Sequence, residues 1–215
     1  MTNLDIALII IIIILLFHLD IKEHFESIFL NKKVCNNIDG RCYEVSTKYN
    51  IDTHNDASEK LALINIKLLA FMRYLRYKYI WNNNPNEYRT ELVKRLLNLY
   101  NQDNLIENAP EGIVNTSYVE DKGKVFAVCL RERKTGKYLF QDMDTLFFVA
   151  LHELSHIANI KWDHGPEYWH DFKIILEEAV QSGLYTPIDY KHNNVNYCGI
   201  NVTYNPYFDD SIITR

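Results

Sequence analysis

His152, Glu153 and His156 stand as H-E-x-x-H inside the stretch "LHELSHIANIKWDHGPEYWHDF". On a helix, residues four apart project from the same face about one turn from each other, so both imidazoles can meet a single divalent cation. Glu153 lies beside them, where its carboxylate reaches a water next to the ion without binding the ion itself, the position of a general base. A catalytic zinc takes three protein ligands and keeps one position open. The third ligand is expected to be His164, eight residues beyond His156, which the loop "IKWD" returns to the ion once the helix ends near Asn159 or Ile160. Glu177 and Glu178 on the following helix are the competing choice, and His170 is read as a supporting or solvent-facing residue.

The elements that must position these groups follow from periodicity and punctuation. "DTLFFVALHELSHIANI" reads as a helix capped by Asp144, and it is apolar on every side, as a buried helix is. Unpaired imidazoles and a carboxylate on a buried helix would be costly to desolvate, and a metal accounts for all three. "HGPEYWHDFKIILEEAVQSG" reads as the next helix, with Pro166 in its first turn and Gly183 as its stop. Ahead of the motif, "KVFAVCLRERKTGKYLF" reads as a hairpin turning at Lys134 to Gly136. Further upstream, Asp56 and Glu59 form a capping box for a long helix whose inner face is Leu61, Ile64, Leu68, Phe71, Leu75 and Tyr79. A second helix opens at Asn84 and Pro85, and the basic residues of this pair, Lys78 and Arg89 among them, read as a solvated face.

Composition bounds the rest. With 215 residues, 47% hydrophobic and 24% charged, the chain suits one globular domain with an appendage, and a net charge of -5 argues against a surface that coats nucleic acid. No specific nucleic-acid partner is expected. Residues 6–17, "IALIIIIIILLF", form an unbroken apolar run without a signal-peptide cleavage pattern, so an uncleaved single-pass membrane anchor is expected, with the bulk of the chain facing the cytosol because the lysines follow the run. The domains are then 1–21 as anchor, 22–55 as linker or hairpin, and 56–215 as a catalytic unit with a helical part over 56–101 and a catalytic part over 118–215. Cys35 and Cys42 bracket a turn that can bring them opposite each other, whereas Cys129 and Cys198 read as buried small hydrophobes.

"HELSH" followed by "DHGPEYW" resembles the pattern of SprT or Spartan-like zinc metallopeptidases, and "CLRERK" ahead of "DTLFFVALHELSHI" is similar to WLM metallopeptidases. The resemblance covers Val125 to about Gly183. Composition, the Asn-rich tail and the apolar run also resemble WLM-like proteins of large DNA viruses. What the resemblance implies is an α+β, minimal zincin-like domain, a small sheet whose edge strand holds an extended substrate above an active-site helix, preceded here by the helical pair and the anchor. Position by position, His152, His156 and His164 would hold one Zn2+ per chain, Glu153 would be the catalytic base, and Phe126, Val128, Leu130 and Arg131 would lie on the substrate edge strand. Tyr185, Tyr190 and Tyr197, with His192, are placed by the tail as candidate transition-state stabilisers. The expected function is a membrane-anchored zinc metallopeptidase acting on a protein or peptide. The alternatives are a membrane-tethered scaffold with a structural or inactive zinc site, and a protease of DNA-protein crosslinks.

Overall fold

A computed structural model describes residues 31–109, 116–132 and 138–214. The sheet begins with a hairpin, β1 (Asn31–Cys35) and β2 (Cys42–Ser46), which sets Cys35 opposite Cys42 and joins them in a disulfide. Helix α1 (His54–Leu75) continues as a single wide-turned segment through Trp81, and α2 (Glu87–Leu99) returns the chain to β3 (Leu105–Asn108). Strands β4 (Tyr118–Glu120) and β5 (Val125–Cys129) complete a five-stranded sheet of order β1-β2-β3-β5-β4. Its three inner strands run parallel, and an antiparallel strand closes each edge. Helices α3 (Met143–Ala158) and α4 (Pro166–Gln181) follow, then a two-stranded ribbon of β6 (Val195–Tyr197) and β7 (Ile200–Val202).

Several expectations change at this level. The architecture is a mixed α/β fold, because β2 pairs parallel with β3 across the helical pair, Glu44 opposite Ile106. Within the stretch expected as linker or hairpin, residues 31–46 form a hairpin that belongs to the sheet, and the helical pair is the crossover that joins β2 to β3. The membrane anchor and the single-pass localisation are corrected as well. Among the described residues no helix is long and apolar enough to cross a membrane, and the run at 6–17 lies outside them.

The supposed edge strand is a central one. Phe126 pairs with Leu105 on one side and Val119 on the other, Val128 pairs with Glu107, and backbone bonds run from Gln141 N to the Leu130 carbonyl and from Glu132 N to the Leu139 carbonyl. Phe126, Val128, Leu130 and Arg131 are all buried. Parallel strands covered on both faces carry continuous apolar runs, and "VFAVCL" is such a run rather than an alternation. The expected turn at 134–136 falls outside the described residues, but its stems pair at Arg131 and Phe140.

Arg131 forms a buried ion pair with Glu107, Nε to Oε1 at 2.9 Å, while Ser46 N donates to the other carboxylate oxygen at 2.9 Å. The guanidinium lies between the rings of Tyr49 and Phe140, 4.3 Å from each centroid. Arg131 and Glu107 together thus tie β2, β3 and the end of β5. Cys129 and Cys198 form a disulfide that fastens the β6–β7 ribbon to β5, so they are not the free small hydrophobes expected from their distance in sequence.

The inner face of α1 is as its period implies: Leu61, Ile64, Leu68, Phe71 and Leu75 are buried against the sheet and α3, and Tyr79, in the segment that continues the helix, is buried with its hydroxyl on Glu178. Its start is not, since the helix begins at His54, with Asp56 already inside the first turn rather than capping it. In α3, Asp142 is the cap, its carboxylate accepting from Thr145 N at 2.8 Å and from Thr145 Oγ1 at 2.7 Å, whereas Asp144 sits in the first turn.

Candidate metal centre

Helix α3 is buried almost all round, packed against α1, α2, α4 and the sheet. Its remaining open face carries His152 and His156. Gly165 and Pro166 begin α4 and turn the loop so that His164 comes back over them. The Nε2 atoms of His156 and His164 each lie 3.3 Å from Nε2 of His152. Donors at roughly 2.0–2.1 Å around a tetrahedral ion stand about 3.3–3.4 Å apart, the spacing of His152 from each of the other two imidazoles, and all three donor atoms lie within 4.8 Å of one another. Among the described residues they form the one group of three or more His, Cys, Asp or Glu donors close enough to share an ion.

The surroundings keep these rings neutral. Burial pushes the His152 imidazole well below its ordinary value, helped by His156 and His164; burial likewise takes His156 down to about 4, and lowers His164. Neutral imidazole is the form that binds a metal. Burial also pushes the Glu153 carboxyl up to about 8. Glu153 is 4% exposed and opens onto the same cleft as His152 and His164. Tyr168 packs beneath the triad, its ring stacked 4.4 Å from His156 and its hydroxyl donating to the His152 carbonyl at 3.1 Å.

Two cations fix the end of α3: Lys122, which the sequence does not single out, and Arg95, one of the basic residues of the helical pair expected on a solvated face. Lys122 Nζ donates to the carbonyls of His156 (2.9 Å), Asn159 (2.7 Å) and Lys161 (2.9 Å), and Arg95 Nε donates to the Ala158 carbonyl at 2.8 Å. Both satisfy acceptors that a helix C-terminus leaves unpaired, and both place positive charge at the negative end of its dipole. Lys122 also lies 4.3 Å over the ring of Trp162, which holds the loop leading to His164. It reaches there from a turn in which Asp121, Lys122 and Gly123 all have left-handed backbone; Gly123 is needed, since a Cβ would meet the Ile157 side chain at 3.2 Å and the Leu99 carbonyl at 3.1 Å. The "DKG" turn was the only signal of this in the sequence. A second tie is Asn159, which donates to buried Asp171 on α4 at 2.8 Å while Tyr88 donates to the same carboxylate at 2.6 Å.

The rival ligands are engaged elsewhere. The buried Glu178 carboxylate receives Lys78 at 2.6 Å, Tyr79 at 2.6 Å and Arg89 at 2.8 Å, and Glu177 receives Arg89 at 2.6 Å. The basic tint of the helical pair is therefore in part an internal clamp on α4 rather than a solvated face. His170 stays outside the triad, edge-on to Tyr88.

The cleft, about 450 Å³, runs past His152, Glu153 and His164 between Thr116–Ser117 and the β6–β7 ribbon. Of the tail candidates, Tyr197 borders it, but its hydroxyl donates to the Cys129 carbonyl at 2.8 Å and meets Ser117 Oγ at 2.5 Å. Tyr185 and Tyr190 are buried against Phe148 and do not line the cleft, and His192 is exposed and paired with Asp189. The edge that faces the cleft is β7. Cys198 and Gly199, both left-handed, make a two-residue turn between Tyr197 and Ile200, so the backbone N–H and C=O of Asn201 point away from β6.

An uncharacterized protein of Acanthamoeba polyphaga mimivirus, R325, is 32% identical over 197 residues, covering 92% of this chain and 93% of its own. The chain belongs to that protein's family. Uncharacterized protein 136R of Invertebrate iridescent virus 6 is 29% identical over 103 residues, and 042R of Invertebrate iridescent virus 3 is 30% identical over 104; the matches span 48% of this chain and 56% and 58% of those relatives. The expected viral kinship is therefore met. No family model and no solved structure matches the chain.

Proposed function

We propose that the chain is a zinc-dependent metallopeptidase. The observation that carries this reading is the convergence of three neutral imidazoles on one point of a cleft that also receives Glu153. The donor set suits zinc, which favours imidazole nitrogen in a tetrahedral arrangement, and three protein donors rather than four leave the open position that distinguishes a catalytic site from a closed structural one. The likeness of "HELSH" and "DHGPEYW" to SprT-like and WLM peptidases supports the same reading.

When bound, the metal would supply a Lewis acid that makes water acidic near neutral pH and polarises a carbonyl. The protein supplies the rest. Glu153 takes the proton of the attacking water and returns it to the departing amine. Its burial sets its pKa high, the adjacent cation would draw it back, and a group balanced near neutrality serves as both base and acid. Tyr168 and the Lys122 clamp hold the imidazoles in place. An extended peptide can pair with the backbone of Asn201 on the β7 edge, so that main-chain hydrogen bonds supply part of its affinity.

The test is peptide-library hydrolysis by the full chain with measured zinc content, against Glu153→Gln. Hydrolysis should fall about 10²–10⁴-fold while zinc stays near one per chain. Undiminished hydrolysis in that variant would remove Glu153 from the mechanism.

A further inference from the structure

The cleft's lining is uneven in a way that bears on substrate. Beside the metal centre its floor is Phe148, Val149 and Phe172, and its far wall is Ile200 and Val202, with Trp169 and Tyr204 at the mouth. The remaining lining is uncharged: Thr116, Ser117, Asn201 and Thr203, with Tyr197. Among the fifteen lining residues, the ionisable groups other than tyrosines are His152, Glu153 and His164, all belonging to the metal centre. Among the described residues no lysine, arginine or second carboxylate lines this cleft; the adjoining hollow adds His170 and Asp209, whose carboxylate accepts from Tyr204 and Ser211. Trp169 and Tyr204 meet edge to face at 5.3 Å, and beyond them lies a second hollow of about 680 Å³ that shares His164, Trp169 and Tyr204. The ring pair thus divides one groove into two compartments on either side of His164.

Resting on the peptidase reading, we infer that this site selects peptides with a large uncharged apolar side chain next to the scissile bond, seated between Trp169, Phe172 and Val202. The occupant is argued from the hollow's continuity with the metal centre. A side chain of Phe or Leu size removes apolar surface from water on both sides, worth about 1.5–3 kcal/mol when fully buried, which is roughly a 10- to 150-fold preference. An Asp or Lys side chain would enter without a partner and lose its hydration. Glycine would leave the hollow unfilled.

The experiment measures binding as well as turnover, so that the two readings fail separately. Short peptide hydroxamates, which chelate zinc, are titrated into the zinc-loaded full chain by calorimetry, with Phe, Leu, Gly, Asp or Lys at the residue next to the hydroxamate. Phe and Leu should bind at least 10-fold more tightly than Gly, Asp or Lys. Thr203→Trp, which fills the mouth from an exposed position, should reduce that ratio at least fivefold with zinc content unchanged. Equal affinities, a preference for charged side chains, or no hydroxamate binding to a chain that holds one zinc would overturn the inference. If the apolar preference holds while no peptide is hydrolysed, the subsite stands and the peptidase reading falls.

Discussion

At the residue scale, the three imidazoles and Glu153 shift in opposite directions for the same cause, loss of water. His152 and His156 are held below the ordinary 6.5, with His156 at about 4, so the unfolded chain binds more protons than the folded one through that window. The metal-free protein therefore loses stability as pH falls from 6.5 towards 4. Glu153 is raised from 4.5 to about 8, so the folded chain binds the extra proton there and stability falls as pH rises towards 8. The three imidazoles favour the fold more as pH rises to 6.5, and Glu153 opposes it up to 8. The contribution of these groups peaks near pH 6.5, and thermal melts of metal-free protein across pH 4–9 should show that maximum. Glu153→Gln should remove the alkaline decline, and an identical decline in that variant would assign it to other groups. His152, Glu153, His156 and His164 were all legible in the sequence because helical spacing alone puts the first three on one helix and a short loop limits where the fourth can go. Lys122 was not, because its role depends on a left-handed turn meeting the end of a helix 34 residues away.

At the scale of elements, that clamp yields a sharp expectation. Lys122→Met keeps the side-chain length but removes all three donated hydrogen bonds, freeing the loop that carries His164. Zinc affinity should fall about 10–100-fold although no ligand is changed, measured by competition with a chromogenic chelator. Unchanged affinity would mean that the loop is held by Asn159 and Asp171 alone. The Arg131–Glu107 pair makes a second expectation. Arg131→Leu strands a buried carboxylate between β2 and β3 and should cost about 3–5 kcal/mol in denaturant unfolding. The helices and the buried character of α3 could be read from periodicity, but the place of β5 in the sheet could not. "VFAVCL" is apolar throughout, and only its partners reveal that it is a central parallel strand, so Phe126, Val128, Leu130 and Arg131 serve packing where a substrate edge was expected.

At the scale of the molecule, the cleft is built from segments far apart in sequence: α3, the start of α4, Thr116–Ser117 and the ribbon after Tyr190. The Cys129–Cys198 disulfide holds the ribbon to β5 across 69 residues of chain. Closing a loop of that length is worth about 4 kcal/mol in the chain-entropy account. Replacing Cys198 with Ala should lower stability by that order and release one wall of the cleft, raising KM for peptides while zinc content stays constant. Long-range ties of this kind leave no local pattern, so neither the disulfide nor the crossover joining residues 31–46 to the sheet could be read ahead of the fold. One viral relative matches 92% of the chain, and two others match about half of it.

The central claim is one zinc held by His152, His156 and His164 with one coordination position open. X-ray absorption at the zinc edge on the full chain, alongside metal stoichiometry for wild type and His164→Ala, tests it directly. One zinc per chain with three imidazole nitrogens at about 2.0–2.1 Å and one oxygen donor, and loss of that zinc in the variant, is the predicted result. A chain that binds no zinc, that retains it fully in the variant, or that closes the fourth position with another protein side chain would contradict the account.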